Sequence, residues 1–117
     1  MPVFASNPLR KLGYSLDGVR STWIDEASFR QWVCLVAVSD IASISLPLPT
    51  LSTGLIVALG FLVLAAELIN TGLEAIVDKT SPETHALAKK AKDAGSAMSL
   101  LTFLALVSVW VGVLFGD

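Results

Sequence analysis

Three carboxylates and one amide share a face in the run ELINTGLEAIVD: Glu67, Asn70, Glu74 and Asp78. At about 100° per residue, Glu74 and Asp78 fall roughly 20° either side of Glu67 on a helix, with Asn70 about 60° round the same side. The twelve residues before Glu67, from Leu55 to Ala66, carry no charge. At least the first acid therefore sits on a helix that is passing into or out of a bilayer. An ionisable group at that depth is expensive and marks a functional site by default.

Carboxylates without His or Cys partners suit a hard divalent cation, and magnesium characteristically takes one or two of them with water and substrate phosphates. Glu26 and Glu74 could serve as that pair. The nearby Lys89, Lys90 and Lys92 have no use for a metal alone but match a nucleotide's phosphates once a metal bridges them. The combination points to phosphoryl transfer. Glu67, up to two turns deeper than Glu74, is placed where a lipid headgroup hydroxyl can reach it, and a partly desolvated glutamate is suited to act as general base. Two other readings fit the same stripe. One is a solvated helix end with surface ion pairs, in which Asn70 joins helices by hydrogen bonds, His85 is an ordinary loop histidine and Asp78 is boundary charge. The other is an ion-conducting oligomer built around Glu67, although a pore has no need of Glu26 and Lys92 at the same surface.

The elements that must position these groups follow from composition and periodicity. The 117 residues are 54% hydrophobic and 15% charged, too apolar for an ordinary soluble domain of this size, so an all-α integral membrane protein is expected. A net charge of −2 offers no basic face for nucleic acid. The single Cys34 excludes an intrachain disulfide and a thiolate metal site. The first thirty residues lack the continuous apolar core of a signal peptide.

In chain order, Leu9, Leu12, Leu16, Val19 and Trp23 recur at spacings of three and four. They predict an amphipathic surface helix over about 8–25. WIDEASFRQW, bracketed by aromatic residues, marks a water boundary. A first span is expected over 29–46, polar for lipid contact because of Ser39, Asp40, Ser43 and Ser45. Pro47 and Pro49 break the chain, and a second span follows over 51–78. The 79–93 segment reads as a loop and the start of a third helix, with Ser81 as cap and Pro82 in its first position. The uncharged stretch from Ala94 to Phe115 makes a third span over 94–115.

All eight basic residues lie before or at the entry to the first span, or between the second and third. The positive-inside rule therefore puts the N-terminus and the 79–93 loop in the cytoplasm and the C-terminus outside. No GxxxxGK[ST] or GxGxxG loop is present, so any nucleotide is held without a glycine cradle. Three short spans cannot easily enclose a nucleotide and a lipid alone. The row Ala91, Gly95, Ser99 admits close helix approach, either between subunits of an oligomer or between the second and third spans of one chain.

The blocks GYSLDG, the segment holding Glu26, Ala27, Phe29, Arg30 and Gln31, ELINTGLEAIVD and AKDAGSA together resemble the small bacterial integral-membrane diacylglycerol kinases. The resemblance covers nearly the whole chain. It implies a homotrimeric helical bundle of three-span subunits with an N-terminal surface helix, in the bacterial inner membrane. It also implies transfer of the γ-phosphate of MgATP to diacylglycerol, giving phosphatidic acid, in sites shared between subunits at the cytoplasmic face. By position, Glu67 matches the family's general base, and Glu26 and Glu74 match its Mg2+ ligands. Asn70, Lys92 and Asp93 match residues important to its catalysis. Tyr14 and Ser15 match nucleotide-pocket positions, His85, Lys89 and Lys90 lie in the bordering loop, and Arg10 is a candidate nucleotide contact. Trp32 stands where some members carry an acid. Undecaprenol kinases share the acidic stripe, but the GYS and FRQ blocks favour the diacylglycerol branch.

Overall fold

The computed structural model describes residues 7–80 and 85–116. The described residues form four helices and no strand: α1 (Pro8–Asp25), α2 (Ala27–Ser45), α3 (Thr50–Thr80) and α4 (Ala86–Phe115). α1 begins where the Leu9 amide donates to the Asn7 side-chain oxygen at 2.9 Å, with Pro8 just inside the helix. The cap satisfies an otherwise unpaired amide, and proline has none to lose.

A single residue separates α1 from α2. Glu26 is extended, with φ −119° and ψ 108°, and its amide donates to the Thr22 carbonyl at 2.9 Å. Arg30, in the first turn of α2, reaches back across this elbow and donates from Nη1 to the carbonyls of Trp23 (2.5 Å) and Ile24 (3.1 Å). A cation on the last carbonyls of a helix supplies the donors they lack and opposes the helix dipole. Arg30→Met is therefore expected to cost about 1 kcal/mol locally. Hydrogen exchange should show the amides of Ile24 to Glu26 opening faster while those of α3 stay protected. Unchanged exchange at the elbow would refute the capping role.

α2 ends at Leu46, whose extended ψ of 152° is what a following proline imposes. α3 then runs through the middle of the molecule, packed on α4 and α2 and touching α1. The core is Val36 of α2, Ile56 and Val63 of α3, and Leu106 of α4. Gly60 lets α2 approach: a Cβ there would stand 2.8 Å from Val36 Cγ1. Side chains join α2 to α4, where Trp110 Nε1 donates to Ser39 Oγ at 2.8 Å and the Trp32 and Phe103 rings meet edge-on with centroids 5.1 Å apart.

Two helices, α3 with 31 residues and α4 with 30, are long and apolar enough to cross a membrane. α2, the other expected span, does not reach that apolar character. Ser39, Asp40, Ser43 and Ser45 dilute it, and one Asp40 oxygen is buried without a hydrogen-bond partner. Leu55, Phe61 and Leu62 on α3 and Leu100, Leu101 and Leu104 on α4 all face outward. So large an apolar surface suits lipid or neighbouring helices and not water. The α1 stripe of Leu9, Leu12, Leu16, Val19 and Trp23 is likewise exposed, so none of the described residues covers it.

Candidate functional site

The end of α1, the elbow and the polar end of α3 enclose a cleft of about 310 Å³. Asp25 and Glu26 line one wall with Ser21 and Thr22 of α1, and Glu74 and Asp78 line the other with Thr71 of α3. Glu26 and Glu74, 48 positions apart in the sequence, thus share one concavity. The elbow sets the first, and the second is steered by Asn70, whose Nδ2 donates to Glu74 Oε1 at 3.1 Å. This is the i, i+4 contact that a helix face provides. The Asn70 oxygen is buried without a partner, and it occupies the space that a Cβ on Gly95 would need. Gly95 of α4 therefore makes room for the amide that aims Glu74.

Of the row Ala91, Gly95, Ser99, the last two are buried, and Gly95 packs against Asn70 and Leu73 of α3. Gly95 thus serves close packing of α4 on α3 within one chain.

Lys92 and Asp93 start the apolar part of α4. Lys92 Nζ pairs with Asp78 Oδ1 at 2.6 Å, joining α4 to α3, and Lys89 pairs with Asp93 at 2.6 Å within α4. The hydrogen bond that Lys92 donates to Asp78 holds the Lys92 ammonium above its ordinary range, with the charges of Asp78 and Glu74 adding to the effect against some desolvation. Asp93 does the same for Lys89, first through its hydrogen bond and then through its charge. Both amines keep their charge throughout the neutral range. These pairs are open to water and contribute little to stability. Lys90 is exposed.

Glu67 is apart from this group. It is only 7% exposed, and among the described residues it has no hydrogen-bond partner. Seven residues from Glu74, it lies about 10 Å further along α3.

The surface-helix candidates are not drawn into the cleft. Arg10, Tyr14 and Ser15 are exposed on α1, Ser15 donating to the Lys11 carbonyl at 2.9 Å, and Tyr14 is about 16 Å along the helix from Asp25. His85 caps α4: its Nδ1 accepts from the Leu87 amide at 3.1 Å, so α4 begins at Ala86. The expected cap and first residue, Ser81 and Pro82, lie outside the described residues. His85 lines a smaller hollow with Val77, Thr80, Leu87 and Ala88.

Asp78, expected from the sequence as boundary charge, lines the cleft and pairs with Lys92. Its register on the stripe was the available signal.

Among the described residues no group of three or more His, Cys, Asp or Glu side chains is arranged to hold a metal ion. Magnesium needs only one or two carboxylates, so the hard oxygens of Glu26 and Glu74 fit it.

This is a helical membrane protein with carboxylates and lysines gathered at one end of its apolar helices. The model of the prokaryotic diacylglycerol kinase family matches residues 13–114. The diacylglycerol kinase of Helicobacter pylori (strain 26695) is 40% identical over 101 residues, 86% of this chain and 79% of that protein. That of Pseudomonas aeruginosa (strain PAO1) is 37% identical over 108 residues, 92% and 88% of the two chains. That of Escherichia coli (strain K12) is 34% identical over 102 residues, 87% and 84%. The chain belongs to the prokaryotic diacylglycerol kinase family.

Proposed function

We propose that this chain transfers the γ-phosphate of MgATP to the free hydroxyl of diacylglycerol, giving phosphatidic acid and ADP at the cytoplasmic face of the bacterial inner membrane. The observation that carries the reading is the shared cleft of Glu26 and Glu74, with Lys92 tied to its wall through Asp78 and Glu67 buried further along the same helix. Glu26 and Glu74 would hold Mg2+. When bound there, magnesium neutralises phosphate charge.

Glu67 takes the proton of the lipid hydroxyl as its oxygen attacks the γ-phosphorus. The new O–P bond forms while the bond from that phosphorus to the β,γ-bridging oxygen breaks, and the electron pair leaves on ADP. Lys92 meets the charge on the phosphoryl oxygens. Asn70 keeps Glu74 aimed into the cleft, and Asp93 pairs with Lys89 along α4. Arg10, Tyr14, Ser15, His85, Lys89 and Lys90 supply the nucleotide pocket. The distance of the α1 residues from the cleft within one chain supports a homotrimer in which neighbouring subunits complete each site. The uncovered apolar stripe of α1 fits a helix lying in the membrane interface, and α2 is read as the third span, shielded by neighbours. The one-sided placement of basic residues supports a cytoplasmic N-terminus and 79–93 loop.

The test is purified protein in mixed micelles with γ-labelled ATP, offered diacylglycerol and undecaprenol side by side. Labelled phosphatidic acid is expected. Label on undecaprenol alone would move the chain to the polyprenol branch, and no labelled lipid from either would end the kinase reading.

A further inference from the structure

Asp78 has no part in the reaction above, yet its place on α3 is unfavourable. It stands in the last turn of α3, where the helix dipole is negative and an acid is disfavoured. Lys92 is in the second turn of α4, toward the positive end, where the dipole gives a cation no help. Each charge is poorly served by its own helix, and each is compensated by the other across the loop at 2.6 Å. The other ion pair among the described residues, Lys89 with Asp93, lies within α4 and joins nothing. Asp78 also lines the cleft with Glu26 and Glu74, so the ammonium it holds is kept at the cleft's wall. The two side chains remain 43% and 63% exposed, which makes the pair weak and exchangeable. A phosphate, with more charge and more acceptor oxygens, displaces the carboxylate.

We propose that Asp78 is a positioning residue that holds the Lys92 ammonium at the cleft before the nucleotide arrives and then yields it to the phosphates. The proposal rests on the kinase reading and adds a residue to it. Lysine has a long stem with many rotamers. Without Asp78 that freedom is lost only when the nucleotide binds, so the penalty falls on KM and not on kcat.

The full chain carrying Asp78→Asn, assayed in diacylglycerol micelles, should raise the KM for MgATP about three- to fivefold with kcat held within about twofold. Asp78→Glu, which restores the carboxylate, should return KM close to the parent value. In parallel, acetic anhydride labelling read by mass spectrometry should find the Lys92 amine more reactive in Asp78→Asn, with Lys90 unchanged. An active parent with KM unmoved by Asp78→Asn overturns the proposal, as does a fall in kcat alone or unaltered Lys92 labelling. A parent that phosphorylates no lipid ends the kinase reading and the positioning role with it, while the labelling still reports whether Asp78 holds Lys92.

Discussion

Glu67→Gln is expected to lower turnover by about 10²- to 10⁴-fold, the range for loss of a general base, with little change in the KM for MgATP. The substitution keeps size and shape and removes only the ability to accept a proton. Glu67 is well suited to show this cleanly, because it is buried and free of hydrogen bonds among the described residues. Among the described residues no hydrogen bond or ion pair is lost with its charge. A melt of the variant should match that of the parent, since the substitution keeps the side chain's shape and its packing. The measurement is transfer of labelled phosphate to diacylglycerol at saturating nucleotide. Normal turnover would remove the base assignment while leaving the metal ligands and the lysines untouched.

Gly95→Ala tests a different link, from packing to chemistry. Its added methyl would collide with the Asn70 oxygen, and Asn70 cannot yield without disturbing the bond its nitrogen gives to Glu74. Overpacking of this kind costs about 1–3 kcal/mol, and misplacing a site residue by about 1 Å can reduce turnover about 10²-fold. We expect a lower melting temperature together with a loss of turnover, and a higher Mg2+ requirement because the aimed carboxylate is one of the two proposed to hold the metal. A variant with normal turnover and normal Mg2+ dependence would show that Asn70 does not control Glu74.

Much of this site could be read from the sequence because its chemistry is local. The spacing of Glu67, Asn70, Glu74 and Asp78 puts them on one helix face, and the Asn70–Glu74 bond is a contact between neighbours on that face. The breaks are also local: Pro47 stops α2 through its effect on Leu46, and the polar stretch after Thr80 separates α3 from α4. What the periodicity did not reveal depends on chain folding over long separations. That Glu26 joins Glu74 follows in the sequence only from their chemistry and from the family resemblance, and the elbow that aims Glu26 is not visible there, because an extended residue between two helices has no composition of its own. The Arg30 cap needed the same elbow. Ser39 and Trp110 are 71 positions apart, beyond any helical repeat. Asp78 stands beside the boundary as solvated charge, as its position in the sequence suggests, while its contact with Lys92 depends on α4 folding back along α3 and was not legible in the spacing.

The one-residue elbow has a mechanical consequence. With no linker between α1 and α2, the angle between those helices turns chiefly on the φ and ψ of Glu26, and the same two dihedrals carry its carboxylate. The joint and the proposed ligand are one residue. Any force that tilts the first helix against the second must re-aim an oxygen in the cleft, so the setting of that helix acts as an adjusting screw on the site.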